Sequence, residues 1–228
     1  PLKKTVTMRL INLSITMLAF CISLSGFGQS YFTAHIGPSF PTADFGDEDL
    51  SDNDAGNAGI GLNAGITYYY PLNENGLSLF AGVDVMYNEL SKDVKDDLEE
   101  IFTQETDITF RKFINIPVSA GLNFQIDTQS DVSLFSKIGL VANFLTITDE
   151  EYEIENEKFR VETDLANSFG LKIEGGIILK GKTRISASYY GLGTHDLDRE
   201  IVSGIERGQI DEEINISMLT LTVGFPVK

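Results

Sequence analysis

The sequence predicts an all-β fold: an eight-stranded antiparallel up-and-down β-barrel that crosses a membrane, with four long acidic external loops and short turns at the other end. Three observations predict it. Eight segments have strand character, the connections between them alternate between long and short, and the acidic residues concentrate in the long connections. Together they indicate a molecule with short turns at one end and long, charged loops at the other.

Residues 1–29 have the features of a cleaved export signal, which leaves 30–228 as the barrel domain. Lys3, Lys4 and Arg9 come before the apolar run LINLSITMLAFCISL, and the small-residue stretch SGFGQS follows that run. A basic region, a short apolar core and small residues, in that order, are typical of a signal peptide. The run is short for a transmembrane anchor, which is the alternative interpretation.

The expected cleavage position is after Gly28 or one residue later, and Met8 is the expected start of translation. The single cysteine, Cys21, lies inside the signal. Phe20 stands where a lipoprotein signal needs a small residue, so lipidation is not expected. We therefore expect the mature domain to contain no disulfide and no thiolate metal site.

The charge balance excludes several kinds of partner. The chain carries 17 Lys and Arg against 34 Asp and Glu, a formal net charge of -17. Binding of nucleic acid needs a surplus of cations, and so does docking on an anionic cytoplasmic membrane surface. We expect neither partner.

The strand predictions depend on alternation with a period of two. In FINIPVSAGLNFQI, residues 113–126, every second residue from Ile114 onward is apolar, and polar or small residues such as Asn115 and Gln125 lie between. Most segments have about the 9–11 residues that a tilted strand needs to cross a bilayer. The predicted strands are 31–40, 58–70, 77–88, 111–126, 132–146, 166–180, 184–193 and 214–225.

The connections indicate the topology. Three of them are short: PLNENG (71–76), DTQSD (127–131) and GKT (181–183). Alternate connections of an up-and-down barrel lie at the same end, so alternation predicts short periplasmic turns and longer external loops. The long, acidic connections cover 41–57, 88–107, 147–164 and 192–213.

The distribution of charge predicts which face contacts which solvent. Of the 34 acidic residues, all but five lie in the four long connections, and only Asp84 and Glu174 lie within predicted strands. One face of the strands is almost free of charge, so we expect this apolar face to contact lipid, including Leu62, Ile116 and Leu221. The opposite face, rich in glycine, amides and charge, is expected to line the interior.

The interior of an eight-stranded barrel is just filled by side chains. A buried charge is costly unless it is paired, so the inward-facing charges are predicted to pair with one another. We expect an interior polar network in which Asp84, Lys137, Lys172, Glu174 and Arg184 take part. A filled interior also predicts that the barrel has no open pore.

The two histidines are the main candidates for chemistry. His35 alternates with apolar residues, so we expect it to face the interior as a hydrogen-bonded filler. His195 is a candidate base for a lipid A-modifying enzyme with a serine nucleophile and an orienting acid, but no tight spacing joins these residues. The candidate partners are Ser188, Ser203, Asp196 and Asp198. We expect no catalytic residue, no cofactor and no metal site.

Two long connections contain further patterns. DEDLSDND, residues 47–54, is rich in carboxylates but lacks the spacing of an EF-hand calcium loop, so we expect a solvated acidic rim. In the second long connection, Leu90, Val94, Leu98 and Ile101 recur at helical intervals and predict a short helix.

Three motifs carry a family resemblance: FGQS at the end of the signal, INIPVSAGLNF before a short turn, and ISMLTLTVGF in the last strand. With the eight-strand order, they make the mature chain resemble the outer-membrane β-barrel domain family of Gram-negative bacteria. The chain looks most like the small "porin family" barrels of the Bacteroidetes, and it is similar to the transmembrane domain of outer membrane protein A. The resemblance implies a place in the cell outer membrane, contact with its lipid and lipopolysaccharide, insertion by the barrel assembly machinery, and no catalytic residues.

Four functions are compatible with this prediction. The first is a non-enzymatic structural or surface-interaction role, in which the acidic loops contact an extracellular ligand. The alternative is transport of small solutes or ions through a narrow channel, which a filled interior disfavours. A lipid A-modifying enzyme and a soluble lipocalin-like carrier are the remaining hypotheses.

Overall fold

The computed structural model describes residues 30–51, 55–101, 107–128, 131–154, 157–203 and 206–227. The expected signal peptide, with its start site, its cleavage position and Cys21, lies outside these residues. Most of the described chain is β-strand, which confirms the all-β fold class. No helix in this part of the chain is long and apolar enough to cross a membrane.

The eight predicted strands correspond to β1, β2, β3, β5, β6, β9, β10 and β11, and their ends differ from prediction by at most three residues except in the last hairpin. In chain order the elements are β1 Tyr31–Thr42, a 3-10 helix Ala43–Gly46, β2 Gly61–Pro71, β3 Leu77–Glu89, helix α1 Lys92–Ile101, β4 Asp107–Thr109, β5 Lys112–Asp127, β6 Val132–Ile147, β7 Glu150–Ile154, β8 Glu157–Thr163, β9 Ala166–Leu179, β10 Thr183–Ser203 and β11 Glu206–Val227.

The eight long strands form an antiparallel up-and-down ring, as predicted. Each strand pairs with the strands before and after it in this set. Pairing of β1 with β11, with His35 opposite Gly224, joins the first strand to the last. Each of the eight strands therefore has a paired strand on both sides over at least part of its length.

Side chains alternate so that the ring has an apolar exterior and a largely polar interior. On the outer face, Leu62 is 61% exposed and Leu140 is 78% exposed. On the inner face, Asn63 and Lys172 are almost completely buried. The apolar face thus points outward and the polar face inward, as predicted, which is the reverse of the polarity in a water-soluble protein.

The fourth long connection is largely a paired hairpin. Strands β10 and β11 continue past the ring and pair from Thr194 opposite Asn215 to Ser203 opposite Glu206. Strand β8 pairs with the outer part of β10, β7 with β8, and β4 with β7. We name this assembly the distal sheet: β4, β7, β8, and residues 194–203 and 206–213.

A glycine marks the passage from the ring to the distal sheet. The pairing of β10 with β11 is irregular between Gly191 and Gly193, and Gly193 has a φ of 83°. A Cβ atom at Gly193 would lie 2.5 Å from the carbonyl oxygen of Phe169. Both the backbone conformation and the lack of space require glycine here.

Apolar side chains fill the end of the ring that carries the long connections. The 3-10 helix contributes Phe45 and helix α1 contributes Val94. Phe45 packs edge-on against Phe113, with ring centroids 5.2 Å apart. We name this cluster the apolar plug; its main members are Phe45, Met86, Leu90, Val94, Phe113, Leu145, Leu192, Leu197, Ile214, Ile216 and Met218.

Helix α1 confirms the predicted helix in the second long connection. It begins after Ser91, whose Oγ accepts the N–H of Val94 at 3.2 Å, the contact of an N-cap. Val94 is buried and Leu98 packs against the plug. Ile101, the last residue of the helix, is 65% exposed, so the apolar stripe contacts the plug only through its earlier turns.

Candidate functional site

Four of the five residues predicted for the interior network lie in contact. Glu174 pairs with Lys137, with Nζ and Oε1 2.7 Å apart, and with Lys172, with Nζ and Oε2 3.2 Å apart. Lys172 Nζ also lies 3.5 Å from Asp84 Oδ2. All four side chains are buried. Two ammonium groups thus face two carboxylates, which is the compensation that buried charges require.

Strand register explains these contacts. Lys137 on β6 is directly opposite Glu174 on β9, and Lys172 is two residues before Glu174 and shares its face. Asp84 belongs to β3, which is not a neighbour of β9 in the ring. The contact between Lys172 and Asp84 therefore crosses the interior and joins two sides of the ring.

Arg184 lies beside the ion-paired cluster, since it and Lys137 contact the same two rings, those of Tyr69 and Phe135. It donates to the hydroxyls of Tyr31 and Tyr69, at 2.6 and 3.1 Å. Its guanidinium carbon lies 4.3 Å from the ring centroid of Tyr69 and 4.7 Å from that of Phe135. No carboxylate among the described residues pairs with it in the structure. Arg184 is stabilised by aromatic faces and hydroxyls in place of an ion pair.

His35 faces the interior, as predicted, and joins the network. Its Nε2 lies 2.5 Å from Asp84 Oδ1, and the hydroxyl of Tyr190 donates to Asp84 Oδ2 at 3.1 Å. Gly65 makes room for this pair, since a Cβ there would lie 2.4 Å from Asp84 Oδ1 and 2.8 Å from His35 Nε2. Sequence reasoning did not include Tyr190, although counting in twos from Arg184 assigns it to the inner face.

His195 is buried in the interior of the ring. Asn143 Nδ2 donates to its Nε2 at 2.9 Å, and Ser168 Oγ lies 2.8 Å from the same nitrogen. Ser168 was not among the predicted partners of His195. The predicted Ser188 and Ser203 lie seven and eight residues away along the extended strand β10, roughly 23 and 26 Å at the rise of a strand.

The predicted acids do not complete a catalytic arrangement either. Asp196 and Asp198 follow His195 in β10 but are exposed, whereas His195 is 0% exposed and Ser168 is 8% exposed. A nucleophile and its base must both reach a substrate. The contact between Ser168 and His195 therefore has the geometry of packing in the barrel interior.

The remaining interior is filled by large side chains. Tyr69, Tyr190 and Lys172 are each at most 1% exposed, and the plug residues Met86 and Met218 are 0% exposed. A side chain without accessible surface leaves no adjacent space as wide as a water molecule. The ring thus contains a charged middle layer and an apolar layer above it, whereas the sequence predicted a polar filling only.

A second charged cluster holds the distal sheet together. Arg199 donates to Glu212 and Glu150, with nitrogen–oxygen distances of 2.5 and 2.7 Å, and Arg111 Nε lies 3.4 Å from Glu150. Burial, followed by the Glu150 carboxylate, raises the pKa of Tyr152 to about 12. No sequence signal indicated this cluster, because its members come from β7, the last hairpin and the residue before β5, which are well separated in the chain.

The acidic stretch predicted as a rim is described only up to Ser51. There Asp47 Oδ1 accepts the N–H of Asp49, and Asp49 Oδ1 accepts the N–H and hydroxyl of Ser51. The two hydrogen bonds from Ser51 lower the pKa of Asp49. Within the described part of the chain, no group of three or more His, Cys, Asp or Glu side chains has an arrangement that could hold a metal ion.

Comparison with solved structures finds outer-membrane proteins of similar extent. Neisserial surface protein A is 17% identical, with 88% of this chain and 97% of that chain covered and a TM-score of 0.47. A major outer membrane protein of Thermus thermophilus is 12% identical, with 88% and 100% covered and a TM-score of 0.47. Ail, the attachment invasion locus protein of Yersinia pestis, is 16% identical, with 87% and 97% covered and a TM-score of 0.41.

No protein-family model matches this chain, and no curated protein matches it. The assignment of the fold therefore depends on the strand pairing of the chain itself.

Proposed function

We propose that this chain is a non-enzymatic outer-membrane β-barrel protein, with a filled interior and a structural or surface-interaction role carried by its acidic external connections. The observation that supports this most strongly is the reversed polarity: Leu140 on the outer face is 78% exposed, and Lys172 inside is 1% exposed. In water such an exterior is a large unburied apolar surface. In hydrocarbon such a surface is favourable. The pairing of strands around the ring also provides the internal backbone hydrogen bonds that a membrane-spanning structure needs.

The proposed orientation follows the lengths of the connections. The turns after β2, β5 and β9 are short and face the periplasm, and the distal sheet and helix α1 lie outside the cell. Residues 1–29 direct export in this proposal. The partners are outer-membrane lipid and lipopolysaccharide around the ring, the barrel assembly machinery during insertion, and an extracellular ligand at the acidic connections.

Cell fractionation and gel migration test this proposal. We expect the protein in the detergent-extracted outer membrane, and we expect faster migration on gels before boiling than after it. Recovery of the folded protein from the soluble periplasmic fraction would contradict the proposal and favour a lipocalin-like carrier.

Transport through the ring is the rival function. Two layers oppose it: the ion pairs of Lys172 with Asp84 and Glu174, and the apolar plug, in which Met86 and Met218 have no accessible surface. We expect no stable channels when the purified protein is added to planar lipid bilayers. Sizeable, long-lived conductance steps would overturn the preference and support a narrow porin-like channel.

A lipid A-modifying activity has weaker support, since His195 and Ser168 are buried in the interior. We expect the mass spectrum of lipid A to be the same with and without the protein. A mass shift that depends on His195 would contradict the non-enzymatic proposal.

A further inference from the structure

Strand β11 has one unpaired side above the ring. Strand β1 pairs with β11 only from Ser217 to Val227, whereas β10 pairs with the other side of β11 from Glu206 to Gly224. Among the described residues, no strand pairs with the outer side of 206–213. We name this segment the free edge. In an edge strand, the N–H and C=O groups of alternate residues point outward and can pair with another chain.

One face of the distal sheet beside the free edge carries an excess of negative charge, although Arg207 pairs with Glu200 and Arg160 lies 3.4 Å from Glu162. Carboxylates stand directly opposite each other there, although like charges in that position destabilise a sheet. Four of them, Asp198, Glu200, Asp211 and Glu162, border a cleft of about 240 Å³ that Asp164, Arg199 and Gln209 of the free edge also line. The opposed pairs are Asp196 with Glu213, Asp198 with Asp211, and Glu200 with Glu162.

The other face of the free edge is apolar at its rim. Ile210 is 43% exposed, and nothing lies within 4 Å of a Cβ atom placed on Gly208. Gly208 pairs with Ile201 of β10, and Ile201 is in turn opposite Val161 of β8. A strand added to the free edge would therefore meet carboxylates on one face and, on the other, aliphatic side chains beside the Arg199–Glu212 ion pair.

We propose that the free edge binds an extended cationic peptide by β-strand addition, with basic residues alternating with apolar ones. Side chains of a strand alternate between faces, so the basic residues of the peptide lie beside Asp211 and Glu213. Its apolar residues lie beside Ile210. Backbone hydrogen bonds supply most of the binding, and the two unlike faces select the alternating pattern.

A second copy of this chain is the other occupant that an open edge attracts. Two free edges placed side by side would bring Asp211 and Glu213 close to the same carboxylates of the other copy. Arg207, the cation of the segment, already pairs with Glu200 at 2.9 Å. Charge thus opposes self-association and favours a basic peptide.

This inference deepens the proposed surface-interaction role and rests on it for the exposure of the free edge outside the cell. Binding to the folded protein does not depend on orientation in a membrane. An experiment in detergent therefore separates the two: a protein that forms channels or fractionates as soluble can still bind the peptide, and an outer-membrane protein can fail to bind it.

The test uses the full chain folded in detergent micelles and a fluorescently labelled ten-residue peptide that alternates Lys and Val. A second peptide has the same sequence with N-methyl groups on alternate backbone nitrogens, which keeps its charge but prevents pairing at one edge. We expect saturable binding of the first peptide and at least tenfold weaker binding of the N-methylated one. Equal binding of the two peptides, or binding of neither, would overturn the proposal.

Matched charge variants test whether the peptide binds at the free edge. Asp211→Asn combined with Glu213→Gln should weaken binding roughly fivefold, because each exposed ion pair contributes little. Asp97→Asn combined with Glu99→Gln, at exposed positions of helix α1, makes the same change in net charge and should leave binding unchanged. Equal weakening by both variants would overturn the assignment to this edge, as would concentration-dependent dimerisation through Cys introduced at Ile210.

Discussion

Lys172 is the side chain on which the interior charge balance depends. It is 1% exposed and lies between Asp84 and Glu174, which belong to opposite parts of the ring. A neutral side chain here would leave two buried carboxylates with fewer positive partners. Removal of one partner of a buried pair costs much more than the pair itself contributes, because the remaining charge stays desolvated.

We predict that Lys172→Met lowers the free energy of unfolding by about 3–5 kcal/mol. The matched control is Lys158→Met, because the Lys158 side chain is 78% exposed and surface substitutions change stability by about 0.5 kcal/mol or less. Urea unfolding in lipid vesicles, followed by the shift between folded and unfolded bands on gels, measures both. Equal midpoints for the two variants would show that the ion pairs do not stabilise the interior.

Gly65→Ala tests the space around the pair of His35 and Asp84. The added Cβ would lie 2.4 Å from Asp84 Oδ1, so the pair must shift, and we predict a loss of about 1–3 kcal/mol as for other overpacked sites. Gly175→Ala is the control, since its nearest neighbour would be the Phe135 carbonyl oxygen at 4.0 Å. The same urea titration applies, and an unchanged midpoint for Gly65→Ala contradicts the tight packing.

The distal sheet is stabilised by ion pairs between side chains that lie outside the ring. Arg199 of β10 holds Glu150 at the start of β7 and Glu212 of β11. Burial alone lowers the pKa of Arg199, but the two carboxylates raise it overall. The guanidinium therefore stays charged and joins three strands of the distal sheet.

We predict that Arg199→Met speeds amide hydrogen exchange in β7 and β8. Local opening of these strands would no longer require the ion pairs of Arg199 to break. Exchange in β5 and β6, inside the ring, should not change. Arg207→Met is the control, since Arg207 is 66% exposed and pairs only with Glu200 in the structure described. Faster exchange throughout the ring, or none in β7 and β8, would contradict this division into ring and distal sheet.

The strands of the ring could be predicted because one solvent lies outside and a packed interior lies inside, so each strand alternates strictly. The β10–β11 extension could not be predicted in the same way. In DLDREIV, residues 196–202, acidic residues occupy the outer face, and Asp and Glu are unfavourable in strands. These strands form because β10 and β11 are already paired inside the ring and the pairing continues.

The contacts in the interior could be predicted from the sequence only in part. The inward positions of Asp84 and Lys172 follow from alternation, but the partner of each charge depends on how the ring closes. Arg184 is therefore assigned to the correct face, whereas its aromatic partners Tyr31 and Tyr69 come from strands far away in the chain. Likewise, the plug contains residues of helix α1 and the 3-10 helix, whose positions over the ring no periodicity encodes.

The described part of the chain is a ring with an apolar outer face and a densely packed interior, and it carries a charged sheet at one end. We propose that the apolar outer face contacts hydrocarbon. The chain contains no tryptophan, so a single introduced tryptophan reports on one position without background. Leu140 is 78% exposed on the outer face and Phe80 is 3% exposed on the inner face, and they form a matched pair of sites.

Fluorescence quenching of Leu140→Trp and Phe80→Trp, refolded into vesicles with brominated acyl chains, tests the claim most directly. We predict strong quenching of the tryptophan at 140 by the brominated lipid and little quenching by aqueous acrylamide. The tryptophan at 80 should be shielded from both. Quenching at 140 by acrylamide, without any effect of the brominated chains, would contradict a lipid-facing exterior.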